Sequence, residues 1–307
     1  MGELAAGMLV QHSSLGVGRV VAVEPTAVHV FFPARDHRFA AKFRWPGARP
    51  LFAVDGVAPD EWLAGLSGFA LDEESGRYAL ASGFVTHDEA IADFLAANPR
   101  GLAGHARATA WRAASAEWAR LCGAGACAQL VADGGARELV RRAQRVVAPL
   151  AAVPGAISQP ELAGAFRDPQ PTLALFGAVG ETTSVPSPAR ARFDALFAAV
   201  DALDLEPDLA WRIATLFPFL AAPGRQAFLA PRTARAAAER LGCDLRFDPA
   251  PNWTTYAAFR TFCTRLLAPL QAHAARDLVD VEVFLHANAT PRAGQPGRGR
   301  RPPRRKR

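Results

Sequence analysis

The chain has 307 residues, half of them hydrophobic, so it is long enough for about two domains with buried cores. Its 35 basic and 29 acidic residues give a formal net charge of +6. No run of about 18 uncharged apolar residues is present, which argues against a membrane span. The first residues also lack the basic start of a secretory signal, so we expect a cytoplasmic protein with no membrane partner.

Cysteine is scattered over the chain at four positions, Cys122, Cys127, Cys243 and Cys263. This is too few for a disulfide framework in a chain of this length. No second Cys or His pair stands at the spacing of a zinc site. We therefore expect reduced, mostly buried thiols and no bound metal.

Residues 1–54 are predicted to form a small β domain. From residue 8 onward, short segments alternate or run apolar with β-branched residues, and Gly, Pro and Asp separate them. Strands of about five residues within so short a stretch are typical of an SH3-like barrel. Gly16 and Gly18 lie in the turn between the first two segments, where they can supply a positive φ angle or a bulge. We expect a five-stranded SH3/Tudor-like β-barrel here.

A mixed connecting region is predicted over residues 55–104, with a short helix near Asp60 and another that ends at Pro99. A mainly α-helical domain follows over residues 105–287. Its helices are expected at 105–121, 128–149, 160–176, 188–202, 207–221, 231–241, 254–274 and 277–286. The glycine-containing stretch 177–188 is predicted to be a loop. The fold class is therefore α+β.

The most distinctive motif lies inside the predicted barrel. It reads Val10-x-His12-x-x-Leu15-Gly16-x-Gly18-x-Val20, followed by Val28, Val30 and Phe32. This pattern resembles the SH3/Tudor-like domain at the C-terminal end of UvrD-type DNA repair helicases and the RNA-polymerase-interacting domain of CarD-type regulators. Leu15 stands where those families usually have Phe. The resemblance implies docking to RNA polymerase, a helicase or nucleic acid through an exposed strand edge.

The histidines of this region allow two interpretations. His12 could act as a ligand or a base, but a histidine beside a glycine turn more often satisfies a backbone group of the loop, which we favour. His29 and His37 do not stand at a metal-ligand spacing relative to it.

The C-terminal half resembles an uncharacterised bacterial family that supplies no known chemistry. Its motifs are rich in proline and aromatic residues, among them Trp253, Tyr256 and Phe259. These rings could stack on nucleic-acid bases, but the helical spacing of Tyr256 and Phe259 favours core packing.

Asp277, Asp280 and Glu282 form a small acidic cluster in the same half. On a helix, Asp277 and Asp280 share a face, and two carboxylates can hold Mg²⁺. We favour helix capping and ion pairing instead, with exposed carboxylates. No phosphate-binding loop, hydrolase, metalloprotease or kinase signature is present in the sequence. The chain is therefore predicted not to be an enzyme and to need no cofactor.

Residues 288–307 are predicted to form a disordered, arginine-rich tail, because Pro, Gly and Arg cannot bury apolar area. Its cations are the candidate nucleic-acid-binding residues Arg292, Arg298, Arg300, Arg301, Arg304, Arg305, Lys306 and Arg307. Without these eight, 27 basic residues remain against 29 acidic ones. Such a segment neutralises phosphates without reading sequence. The alternative is a terminus that only improves solubility.

Together these features predict a non-enzymatic, nucleic-acid-associated accessory protein of a bacterium. The barrel would dock to a polymerase, a helicase or nucleic acid, and the tail would add nonspecific phosphate affinity. The alternative is a DNA-acting enzyme with an unrecognised site in the helical domain.

Overall fold

The computed structural model describes residues 4–33, 35, 39–57, 60–66, 68–80, 85–102, 104–123, 125–184, 189–243 and 245–289. The chain divides into two compact units. The N-terminal unit comprises the chain up to Ala90 and a short segment that starts at Ala238, and the helical unit comprises Ile91–Ala237 and Leu245–Thr290. The later segment belongs to the N-terminal unit, where the Val85 N–H donates to the Arg240 carbonyl at 2.8 Å.

The N-terminal unit contains a curled, five-stranded antiparallel sheet that forms a half-barrel. Its strands are β1 (Leu9–His12), β2 (Gly16–Glu24), β3 (Ala27–Phe31), β4 (Ala41–Arg44) and β5 (Phe52–Ala53). The spatial order β4-β3-β2-β1-β5 leaves β4 and β5 as the two edges. A register shift between Val20 and Ala22 adds one residue to β2, and such bulges bend a strand and increase its twist. The predicted α+β class and the β character of residues 8–54 are confirmed.

The two faces of the sheet bury two separate apolar clusters. On the concave side Val10, Val20, Val28, Val30 and Phe32 are almost fully buried. On the opposite side Phe31 packs with Leu63, Leu66 and Leu80. Every residue of β3 is therefore buried, as expected for a strand covered on both faces.

The residues that follow the sheet form a short helix and a β-hairpin. A helix, α1 (Glu61–Gly65), starts at Asp60, whose side chain accepts from the Leu63 N–H at 2.9 Å. A hairpin of β6 (Phe69–Asp72) and β7 (Arg77–Leu80) follows, and the sequence analysis missed it. Because each strand has only four residues, neither gives a strong alternation pattern.

Eleven further helices are described, mostly within the helical unit. They are α2 (His87–Ala97), α3 (Ala106–Cys122), α4 (Ala126–Ala132), α5 (Ala136–Val147), α6 (Gln159–Ala165), α7 (Pro169–Thr183), α8 (Arg190–Asp201), α9 (Pro207–Ala221), α10 (Pro231–Arg240), α11 (Trp253–Gln271) and α12 (Leu278–Ala289). Helix α9 is central, because every residue from Ile213 to Leu220 is buried. Within the described part of the chain, no helix is long and apolar enough to cross a bilayer.

The predicted loop at 177–188 is wrong over its first half, because α7 continues to Thr183. Phe176 and Val179 are buried on its inner face. Their burial outweighs the cost of about 1 kcal/mol for each glycine inside a helix. The Thr183 hydroxyl also donates to the Val179 carbonyl at 2.9 Å near the helix end.

Candidate interaction surface of the N-terminal sheet

The motif residues meet in the hairpin of β1 and β2. Val10 lies opposite Gly18, and His12 lies opposite Gly16. Val10 and Val20 are fully buried, and Leu15 packs against the same core while partly exposed. These positions therefore build the scaffold of the half-barrel.

The two motif glycines are required for different reasons. Gly16 has a φ angle of +78°, and no atom lies within 4 Å of the place that a Cβ would take, so only backbone strain opposes a side chain there. Gly18 has no positive φ, so the first of the two roles that the sequence allowed, a positive φ or a bulge, does not apply to it. A Cβ on Gly18 would lie 2.4 Å from Cε1 of Phe32 and 2.8 Å from Cγ1 of Val30. Close packing of Phe32 over the strand excludes any side chain at that position.

His12 serves the loop, as the sequence analysis favoured. Its Nδ1 accepts from the Ser14 N–H at 3.2 Å, so the proton of the neutral ring lies on Nε2. The ring is buried against Phe32, Phe43 and Phe52, with centroid distances of 5.3–5.7 Å. His12 therefore holds the hairpin turn on the aromatic core.

An aromatic face lies where the half-barrel is open. We define it as Phe43, Trp45 and Phe52, which are all partly exposed and pack on the concave core. Phe43 belongs to one edge strand and Phe52 to the other, and their rings meet edge to face at 5.1 Å. Since β4 and β5 stand at opposite ends of the strand order, side chains connect these edges without a hydrogen-bonded ladder. The neighbouring Leu51 is 44% exposed and extends the apolar surface.

The backbone of β4 offers a short free edge beside this face. The Trp45 N–H donates to the Thr26 carbonyl at 2.8 Å, so alternation directs the backbone groups of Lys42 and Arg44 away from β3. The start of the edge is covered, because the Ala40 N–H donates to the Tyr78 carbonyl of β7 at 2.7 Å. The Arg44 carbonyl accepts from the Ala48 N–H at 2.9 Å. Among the residues that the structure describes, the N–H and C=O of Lys42 have no hydrogen-bond partner, so both are available to a partner strand.

The free edge is lined by positive charge. Lys42, Arg44 and Arg49 are exposed. Glu24 lies 3.9 Å from Lys42. An exposed edge with basic side chains and adjacent aromatic rings suits an extended, acidic partner segment. These residues carry no local sequence signal, because their grouping depends on how the strands pair.

The acidic cluster of α12 is held by arginines of α3. Asp277 caps the helix, with Oδ1 accepting from the Val279 N–H at 3.0 Å, which confirms its predicted role. Arg112 reaches Asp277 at 3.1 Å and Asp280 at 2.9 Å. The predicted exposure is wrong for Asp280, which is fully buried, whereas its predicted ion pairing is confirmed. Glu282 is also buried and pairs with Arg107 at 2.5 Å. Among the described residues, no group of three or more His, Cys, Asp or Glu side chains could hold a metal ion.

The aromatic residues of α11 belong to the core. Tyr256 and Phe259 are buried, and Tyr256 stacks on Phe193 with a centroid distance of 4.4 Å. The Tyr256 hydroxyl donates to the Gln226 side chain at 2.8 Å. Core packing is thus confirmed for Tyr256 and Phe259, while Trp253 is partly exposed.

The remaining candidate residues are the cysteines and the cations of the tail. All four cysteines are free thiols, and only Cys243 is partly exposed. The predicted nucleic-acid-binding residues of the tail, Arg292, Arg298, Arg300, Arg301, Arg304, Arg305, Lys306 and Arg307, lie outside the described residues, as does His37.

Two histidines flank the buried Arg107–Glu282 pair. His105 caps α3, with Nδ1 accepting from the Arg107 N–H at 3.2 Å, so the cap requires an unprotonated ring nitrogen. Burial and the charge of Arg107 lower the pKa of His105 against the opposing effect of Glu282. Burial and Arg107 likewise lower the pKa of His286. Both rings are therefore held neutral.

We expect the helical unit to lose stability in mild acid. The unfolded histidines have a pKa of about 6.5, so below that pH the unfolded chain binds more protons than the folded one. The stabilisation is complete above about pH 7 and is lost as the pH falls below the unfolded pKa and through the lowered folded pKa values. Urea midpoints between pH 8 and pH 5 measure the decline.

Two variants separate this effect from general acid sensitivity. His105→Asn keeps a capping acceptor without titrating, so it should flatten the pH dependence. His273→Asn changes an exposed histidine and should leave the dependence as it is. An unfolding midpoint that stays constant from pH 7 to pH 5 would contradict the assignment.

Comparisons with protein-family models, with curated proteins and with solved structures give no match for this chain. The likeness of the half-barrel to SH3/Tudor-like domains stays a prediction that rests on the hairpin motif.

Proposed function

We propose that this chain is a non-enzymatic, nucleic-acid-associated accessory protein of the bacterial cytoplasm. Its N-terminal half-barrel, which we interpret as SH3/Tudor-like, docks to RNA polymerase or a helicase. The free edge of β4 beside the aromatic face is the observation that carries the proposal. The basic tail adds phosphate affinity that is indifferent to sequence.

The edge supports docking because it combines affinity with selectivity. A partner strand would hydrogen-bond to the backbone of Lys42, and its side chains would meet Phe43 and Trp45 on the same surface. Lys42 and Arg44, the exposed basic residues of β4, favour a partner strand with carboxylate side chains. This chemistry fits an acidic segment of a protein better than a nucleic acid, which carries no free strand edge.

No observation favours the alternative of a DNA-acting enzyme. Asp277 caps a helix, and Asp280 is buried in contact with Arg112. Their carboxylates stabilise the packing of α12 on α3 and offer no open pair of acids to a substrate.

The proposal is tested by removing a single hydrogen-bond donor, the backbone N–H of Lys42, from the free edge of β4. Lys42→Pro removes the outward N–H, and proline is tolerated where that N–H faces solvent. We expect binding to purified RNA polymerase core enzyme or a UvrD-type helicase to weaken about tenfold, which corresponds to the loss of one or two hydrogen bonds. Lys42→Gln removes the charge but keeps the N–H, so it should weaken binding only about threefold or less.

Binding should be measured after nuclease treatment, with circular dichroism to verify that both variants fold. Failure of the wild-type chain to bind either protein would refute docking. Equal affinities for Lys42→Pro and Lys42→Gln would refute the strand edge as the docking element.

A further inference from the structure

A row of arginines runs along the surface of the helical unit. Arg137, Arg141 and Arg145 are exposed and lie four residues apart on α5. Four residues of α-helix rise about 6 Å, so the three arginine side chains project from one face of the helix at a regular spacing. Each strand of duplex DNA carries phosphates at regular intervals, about 3.4 Å apart when measured along the duplex axis, so a row of regularly spaced cations can meet several of them.

Two carboxylates orient this row and its neighbours. Glu138 contacts Arg141 at 2.7 Å and Arg142 at 2.8 Å. Glu117 of α3 contacts Arg120 at 2.5 Å and Arg145 at 3.6 Å. The side chains of Arg120, Arg141 and Arg145 are 50–63% exposed, whereas those of the two glutamates are 24–30% exposed. The carboxylates thus lie beneath the guanidinium groups, which face solvent.

The surface keeps a positive excess. Four of the five arginines share two glutamates, and the fifth, Arg137, makes no ion pair within the described part of the chain. Hydrogen bonds from Arg141 and Arg142 hold the pKa of Glu138 at about 2, so this carboxylate stays ionised. A guanidinium group has five N–H donors, and a bidentate contact with a carboxylate uses two of them. The remaining donors of the exposed arginines are available to an external anion, whereas Nη1 of Arg142 already donates to the Leu121 carbonyl.

The position of the apolar side chains of α5 distinguishes between a lipid surface and a nucleic acid as the anionic partner. Leu139, Ala143, Val146 and Val147 are buried in the helical unit, and Val140 is only partly exposed. A helix that lies on a membrane surface needs apolar side chains next to its cations. The arginine row has almost no apolar side chains beside it. Its planar guanidinium groups stand at a regular spacing, which suits the repeated phosphates of a nucleic acid.

We propose that the arginine row of Arg137, Arg141 and Arg145, flanked by Arg120 and Arg142, binds the phosphate backbone of nucleic acid. The inference rests on the proposed association with nucleic acid, and it adds a contact in the helical unit that is separate from both the sheet edge and the tail. It reads no base sequence, because its donors meet phosphates alone.

The test is a salt titration of DNA binding by the full chain. Fluorescence anisotropy with a labelled duplex is measured for the triple variant Arg137→Gln, Arg141→Gln, Arg145→Gln. Loss of three phosphate contacts should reduce the slope of log affinity against log salt by about 2.7, and affinity at low salt should fall about tenfold or more. The matched control is Arg190→Gln, Arg225→Gln, Arg232→Gln, which removes three exposed arginines elsewhere in the same unit. The control should change the slope by less than half as much.

Three outcomes would overturn the inference. One is an equal change in slope for the two triple variants, which would indicate a general charge effect. Another is unchanged DNA binding with reduced binding to phosphatidylserine vesicles, which would assign the row to a lipid surface. The third is a row variant that binds both DNA and the vesicles as tightly as the wild-type chain does. Lys42→Pro should keep its DNA affinity, so failure of the docking proposal is distinguishable from failure of this one.

Discussion

Replacing Arg107 with methionine should destabilise the helical unit by about 3–5 kcal/mol. The Arg107 and Glu282 side chains are only 6% and 7% exposed, and the guanidinium group binds the carboxylate through Nε and Nη2. Its Nη1 also donates to the Pro154 carbonyl at 2.9 Å. The substitution leaves the Glu282 charge buried with no counterion, which costs more than the pair itself contributes. Urea denaturation at pH 7.5 measures the loss.

The double variant Arg107→Met, Glu282→Leu identifies the cause. Removing both charges should recover most of the stability, because an apolar pair of similar volume avoids the cost of desolvation. Arg112→Met is the matched comparison and should cost less, because Asp277 is partly exposed and the buried Asp280 still accepts from the Arg276 N–H at 2.7 Å. If the double variant were as unstable as Arg107→Met, lost packing would be the cause.

Gly18→Ala should destabilise the N-terminal unit by about 2–3 kcal/mol, because the new methyl group overlaps the Phe32 ring. The ring is 1% exposed and has little room to move. Gly16→Ala is the matched control, with a cost of about 1–2 kcal/mol from backbone strain alone. Thermal unfolding followed by far-ultraviolet circular dichroism measures both.

Phe32→Leu should distinguish the two mechanisms. It removes the ring atoms nearest Gly18, so Gly18→Ala should cost less in its presence. The cost of Gly16→Ala should stay the same, since no atom lies near that position. Purely additive effects of Gly18→Ala and Phe32→Leu would show that the ring is not the obstacle.

Much of the fold could be predicted from local patterns. The apolar alternation around Val10, Val20 and Val28 reflects burial on one face of each strand, so the β character of residues 8–54 is readable from the sequence. Hairpin β6–β7 was missed because its strands are short and depend on the sheet they pack against. Helix α7 continued through Gly177 and Gly180 because tertiary burial outweighed local propensity.

The candidate surfaces were harder to predict because they depend on distant parts of the chain. Phe43 and Phe52 meet only because the sheet curls and brings its two edge strands near each other. Asp280 is buried because Arg112, 168 residues earlier, reaches it. The arginine row on α5 is visible as an i, i+4, i+8 spacing, but its orientation by Glu117 depends on how α3 packs on α5.

The return of the chain to the N-terminal unit has a consequence for biosynthesis. The Arg240 carbonyl, which binds the Val85 N–H, leaves the ribosome long after the sheet has been made. At about 5–20 residues per second, the intervening helices take roughly 10–30 s to translate. During that interval the nascent N-terminal unit lacks its last segment, and a fragment that stops near residue 90 would remain in this incomplete state.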